Sequence, residues 1–409
     1  MLYYAYQLQS DLMKPVRMMA DAAAHMLNGS AVTQFDSPTL RHLAAAFEMV
    51  SRAGLTHTRP PFGIDHVRVG KEDVPVTEED ALVTPFGTML HFRKAGNVAS
   101  KLKQPRVLVV APLSGHFATL LRNTVEVLLP DHDVYITDWH NARDIGTEHG
   151  RFGFDEYIDH VIQFLEALGP GAHLVSVCQP CAHAFAAVAV MAQTNNPCQP
   201  ASMTLMAGPI DTRINPTSVN ELATTHSIEW FEKNLISKVP LGFPGAGRRV
   251  YPGFVQLNAF MSMNPKRHID THIDLFGALA TGDTDKAEFT KNFYDEYFAV
   301  LDLTAEFYLE TVNLVFQKHV LPKGELTWHG EKVEPAAIRK TALLTVEGER
   351  DDICSVGQTM AAHDLCTGIR SYKKNHHLQA GVGHYGVFSG SRWAGQIYPI
   401  VRNVILSND

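Results

Sequence analysis

Three short segments, far apart in the chain, hold the residue types that acyl-transfer chemistry needs. The first is Leu174-Val175-Ser176-Val177-Cys178-Gln179-Pro180-Cys181, which runs into the alanine-rich stretch Ala182-His183-Ala184-Phe185-Ala186-Ala187. A β-prone run meeting a tight turn and then a helix is the context of a nucleophile elbow. The helix N-terminus favours negative charge there, so a cysteine in that turn is expected to be partly thiolate. The second segment, Glu347-Gly348-Glu349-Arg350-Asp351-Asp352-Ile353, follows an apolar run that ends at Val346. The third, Gly381-Val382-Gly383-His384-Tyr385-Gly386, sets a histidine in a glycine-rich loop. The chain has 21 histidines, and this setting singles out His384. The chemistry assigns Cys178 to carbonyl attack, His384 to proton transfer, and Asp351 to fixing the imidazole tautomer and stabilising its charge.

Rival readings stand beside this one. Asp352 competes with Asp351 for the acid role, and Asp211 in Gly208-Pro209-Ile210-Asp211 is a weaker competitor. Each could equally be a turn aspartate. Cys178-Gln179-Pro180-Cys181 also has the C-x-x-C spacing of a dithiol redox site or of half a zinc site, and a buried cysteine can be inert packing. There is no second C-x-x-C and no H-E-x-x-H. An oxyanion hole needs two N–H donors. One is expected from the backbone of Gln179. The other falls in Pro112-Leu113-Ser114-Gly115-His116, with Ser114 favoured and Leu113 the alternative. His116 is read as packing nearby. Gly242 to Gly247 follows no strand and makes a poor phosphate loop. Arg248-Arg249 reads as solvated, and His376-His377 as strand neighbours facing opposite sides.

These groups need a scaffold to bring them together. Apolar β-prone runs at 107–111, 134–136, 173–177, 202–206 and 342–346 alternate with helical stretches. Such alternation predicts a mostly parallel central sheet with helices on both faces, an α/β fold. A hairpin is expected around Pro85-Phe86-Gly87. The order nucleophile, acid, histidine is that of an α/β-hydrolase. Residues 61–209 and 336–409 are assigned to this core. Residues 210–335 interrupt the rhythm with helix-like runs at 221–235 and 286–316, and form a mainly helical cap insertion. That insertion carries sixteen Phe, Tyr and Trp residues, nearly twice the aromatic density of the rest.

Residues 1–60 read as an N-terminal helical segment packed on the core, with Pro15 kinking or restarting the helix. Tyr4, Leu8, Leu12, Val16, Met19, Ala23 and Met26 recur at spacings of three and four. Such a stripe either packs against the domain or seeks an apolar surface.

The chain has 409 residues, of which 45% are hydrophobic and 19% charged, with a formal net charge of −8. That composition excludes a disordered chain and gives no general attraction to nucleic acid. No apolar run approaches a membrane span. The start Met1-Leu2-Tyr3-Tyr4-Ala5-Tyr6-Gln7 lacks the pattern of a secretion signal. Five cysteines, an odd and sparse number, suit a reducing cytoplasm. The sequon Asn28-Gly29-Ser30 then carries no weight.

With these residues in view, the sequence resembles the intracellular poly(3-hydroxybutyrate) depolymerases of polyester-storing bacteria. The resemblance runs along essentially the whole chain. It rests on the start just quoted, Ala111-Pro112-Leu113-Ser114-Gly115-His116-Phe117, Thr137-Asp138-Trp139-His140-Asn141-Ala142-Arg143, the elbow Ser176 to Pro180, Glu347 to Cys354, and Gly383 to Gly390. It implies an α/β-hydrolase with cysteine in place of serine, and Cys178, Asp351 and His384 in the catalytic roles. It implies a cytoplasmic, granule-associated enzyme acting on amorphous polyester and releasing 3-hydroxybutyrate or short oligomers. It implies no metal and no organic cofactor, and it allows a homodimer. Polyester synthases resemble this family but carry a G-x-C-x-G box, from which this chain departs at Ser176 and Pro180. A synthase-like acyltransferase and a non-catalytic granule protein are the competing expectations.

Overall fold

The structure is a computed structural model that describes residues 2–28, 37–263 and 265–409. Gly29 and Ser30 of the sequon lie outside them. Two helices, α1 (Leu2–Asn28) and α2 (Pro38–Ser51), precede the sheet. The antiparallel strands β1 (His66–Val69), β2 (Glu72–Val83) and β3 (Gly87–Lys94) come next. β2 and β3 form the hairpin expected around Pro85. Then follow β4 (Arg106–Val110), β5 (Asp133–Trp139), helix α3 (Phe154–Leu168), β6 (His173–Val177), helix α4 (Cys181–Gln193) and β7 (Ser202–Met206). After a long helical segment the sheet resumes with β8 (Ala342–Gly348) and β9 (Lys374–Gln379).

The nine strands lie in the order β1-β2-β3-β5-β4-β6-β7-β8-β9, and the last six are mutually parallel. Every residue of β6, β7 and β8 is buried. That burial on both faces explains why these strands read as continuous apolar runs rather than as alternating patterns. β9 is half exposed, with the sequence Lys-Asn-His-His-Leu-Gln, and gave no apolar run to find.

Ala182, Ala184, Ala186, Ala187 and Ala189 let α4 lie close on the sheet; all are buried. The elbow's helix is therefore fixed in the core.

The segment between β7 and β8 is broken into shorter elements than the sequence pattern predicts. The run expected over 221–235 is two helices, Ser218–Thr225 and Ile228–Leu235. That expected over 286–316 ends at Tyr297 and resumes at Ala305. The helix ending at Tyr297 is α7 (Thr284–Tyr297), and before it come α5 (Gly253–Met263) and α6 (Pro265–Thr281); short antiparallel strands complete the segment.

Two expectations need correcting. Arg248 is buried, not solvated. Its guanidinium donates to the backbone oxygens of Ile145, Gly146 and Gly150, so it serves as an internal clamp on that turn. The apolar stripe of α1 is not packed on the domain. α1 runs unbroken through Pro15 and seats itself through Tyr3, Ala20 and Ala24, while Leu8, Leu12 and Met19 stand exposed.

Candidate functional site

Cys178 occupies the turn between β6 and α4 with φ of 66°. A non-glycine residue in this region stores backbone strain of about 1–3 kcal/mol. Neighbouring bonds hold it there. The Cys178 N–H donates to Met206 O at 2.8 Å, and the Cys181 N–H donates to Cys178 O at 3.1 Å. Gly208, just past β7, lies against this turn, and a Cβ there would strike Cys181 and the Cys178 carbonyl. The close approach requires glycine. The turn lifts Sγ above the C-terminal edge of the parallel strands.

The other two predicted side chains meet it. His384 Nε2 lies 3.1 Å from Cys178 Sγ, and His384 Nδ1 lies 2.8 Å from Asp351 Oδ2. The acid lies 33 residues before the histidine and 173 after the cysteine in sequence, yet the three form one continuous line. Asp351 Oδ1 accepts the N–H groups of Ile353 at 2.9 Å and Cys354 at 2.8 Å, which fixes the carboxylate plane. The rings of Tyr385 and Phe388 stand edge-on to the imidazole. Burial alone would push the His384 imidazole down. The facing sulfur and the Asp351 carboxylate, which also bonds to it, outweigh burial and hold it well above the ordinary histidine range.

The rival acids are elsewhere. Asp352 is exposed, and Asp211 makes a two-pronged ion pair with Arg213 at 2.8 and 2.7 Å. Cys181 is fully buried, and its thiol donates to Ser176 O and Met206 O. Burial pushes that thiol up to about 12, so it stays protonated near neutrality and is a poor partner for thiol exchange. All five cysteines are free. Cys181→Ala is therefore expected to keep ester hydrolysis within about twofold and to cost about 1 kcal/mol of stability. Steady-state rates and urea unfolding check this; a loss matching removal of Cys178 would restore the dithiol reading.

Of the loop after β4, Leu113 is buried and Ser114 half-buried. Gly115 O accepts the Leu301 N–H at 3.0 Å. His116 is buried between Phe260 and Tyr297, and burial lowers it to about 4; it packs, as expected. Among the described residues no group of three or more His, Cys, Asp and Glu could hold a metal ion. His376 Nδ1 bonds to Thr345 Oγ1 and His377 Nε2 to Gln379 Oε1, so the two rings engage different partners.

Sequence reasoning missed the support for the acid. Glu347, fully buried at the end of β8, accepts the N–H groups of Gly357, Thr359 and Met360 at 2.8–2.9 Å. Thr359 Oγ1 bonds to both the N–H and the C=O of Gly208. One carboxylate thus shapes the loop carrying Asp351 and ties it to the elbow. A buried glutamate inside an otherwise apolar strand was the available signal.

A parallel sheet, a strained elbow after its β6 strand, an acid beyond β8 and a histidine beyond β9 define an α/β-hydrolase, and the protein is a carboxylic ester hydrolase. Residues 207–409 match the family described as PHB de-polymerase C-terminus. Similar solved structures include a monoacylglycerol lipase from Paleococcus ferrophilus, 14% identical over 75% of this chain and 96% of that one, with a TM-score of 0.44. A 2-hydroxy-6-oxo-6-phenylhexa-2,4-dienoate hydrolase from Rhodococcus sp. strain RHA1 is 10% identical over 81% and 99%, with a TM-score of 0.42. No curated protein matches the sequence.

Proposed function

We propose that the protein is a poly(3-hydroxybutyrate) depolymerase that works in the cytoplasm on storage granules and uses Cys178, His384 and Asp351. Sγ passes its proton to His384 Nε2 and attacks the ester carbonyl carbon, and the N–H groups of Gln179 and Ser114, or of Leu113 in place of Ser114, receive the oxyanion. The C–O bond then breaks. His384 Nε2 gives its proton to the departing alkoxide, which leaves as a hydroxyl chain end. Water, deprotonated by the same nitrogen, attacks the thioester. The C–S bond breaks, releasing 3-hydroxybutyrate or a short oligomer, and His384 Nε2 returns its proton to the sulfur. The observation that carries this reading is the unbroken line from Sγ through both imidazole nitrogens to a carboxylate. The family match over residues 207–409 supports the polyester as substrate. No described helix is long and apolar enough to cross a membrane.

The test is incubation with protein-free amorphous polyester, with products sized, beside incubation with 3-hydroxybutyryl-CoA. Release of 3-hydroxybutyrate or its oligomers is expected. Polymer formation from the CoA thioester would instead mark an acyltransferase, and granule binding without turnover would mark a coat protein.

The contact between Cys178 and His384 also makes a titration prediction. In Cys178→Ser the largest influence raising His384 is gone while burial remains. The imidazolium should then lose its proton at a lower pH than in the wild type, as read by nitrogen NMR of the ring. An unmoved titration would contradict a thiolate–imidazolium pair.

A further inference from the structure

The outward face of α1 has no partner among the described residues. Tyr4, Leu8, Leu12, Val16, Met19 and Met26 are 45–74% exposed. At 100° per residue they fall within about one third of the helix circumference, opposite the seated residues Tyr3, Ala20 and Ala24. Ala5, Pro15, Ala22 and Ala23 share that arc, while Asp11, Lys14, Arg17 and Asp21 lie outside it. The result is an uncharged apolar strip on a helix of 27 residues, about 40 Å long. A water-facing strip of this size marks a binding surface.

Charge decides what it fits. α1 carries two acids and two strong bases, and the whole chain has a formal net charge of −8. Helices that settle on anionic lipid carry an excess of Lys and Arg. This strip complements an uncharged apolar surface.

The strip is also joined to the active-site side of the sheet. Tyr3 Oη donates to Asp302 Oδ2 at 2.6 Å, and its ring packs edge-on to Phe254 of α5. Next to Asp302, the Leu301 N–H donates to Gly115 O in the loop after β4. α2, packed between α1 and α6, adds exposed Leu43 and Val50, and α6 adds exposed Ile269 and Ile273. Between α2 and α6 lies an apolar cavity of about 750 Å³, bordered by Met49, Ile273 and His268. His268 stacks on Tyr297, which packs on His116 of the loop after β4. Ring contacts thus run from that cavity to the loop after β4.

We propose that the outward face of α1 is the surface by which the protein adsorbs to solid, uncharged polyester. The inference rests on the depolymerase reading of the site: a solid substrate cannot diffuse to Cys178, so the enzyme must be held against it.

The test compares the full-length wild type with Leu8→Glu/Leu12→Glu/Met19→Glu. Sedimentation with protein-free amorphous polyester particles measures adsorption, and a soluble 3-hydroxybutyrate ester measures turnover in parallel. The variant should bind particles at least about tenfold more weakly, because covering even one leucine or methionine side chain is worth that much. Its turnover of the soluble ester should stay within about twofold, as for other surface changes. Undiminished adsorption by the variant would overturn the proposal. So would a wild-type dimer that the variant abolishes with adsorption unchanged, or binding to neutral phosphatidylcholine vesicles but not to polyester. Wild type that adsorbs through this face yet hydrolyses no soluble ester would support the surface and count against the active-site reading alone.

Discussion

Cys178→Ala should lower kcat for ester hydrolysis by about 10⁴- to 10⁶-fold, the scale seen when the nucleophile of such a triad is removed. The loss comes from chemistry and not from folding. Alanine tolerates φ of 66° no worse than cysteine, and the backbone bonds that hold the turn involve only N–H and C=O groups. Melting temperature should therefore change little. Cys178→Gly sharpens the point, because glycine relieves the strain at this position. It should be as inactive as Cys178→Ala yet more stable by about 1 kcal/mol. Hydrolysis at the wild-type rate by either variant would remove Cys178 from the mechanism.

Asp351→Asn should cost about 10³- to 10⁴-fold in kcat/KM on a soluble ester. The geometry gives the reason. Oδ1 is held by the N–H groups of Ile353 and Cys354, so an asparagine keeps its oxygen there and turns its NH₂ toward His384. Facing a donor, Nδ1 must become the acceptor, and the ring proton moves to Nε2. The nitrogen nearest Cys178 can then no longer take the thiol proton. Asp352→Asn, on an exposed neighbour, should leave the rate within about twofold. Equal damage from the two substitutions would contradict the assignment of the acid.

Much of this was legible in the sequence because the relevant signals are local. Buried parallel strands at 173–177, 202–206 and 342–346 announce themselves as apolar runs. The elbow shows as strand, turn and alanine-rich helix, and the histidine sits in a glycine-rich loop. What stayed hidden depends on neighbours distant in sequence. The sequence favoured Asp351 over Asp352, but not the reason, which is that Glu347 sets the loop through three backbone bonds so that Asp351 faces His384. Arg248 looked solvated because guanidinium groups usually are; here three carbonyl oxygens surround it. The stripe on α1 was visible, but periodicity reports an apolar face and not what covers it.

The most direct test of the central idea is to quench turnover of a soluble 3-hydroxybutyrate ester with acid and weigh the peptide that carries Cys178. The account predicts a population heavier by one 3-hydroxybutyryl group, attached through sulfur and released by hydroxylamine. An acyl group found on a different residue, or sustained turnover with this peptide never acylated, would contradict it.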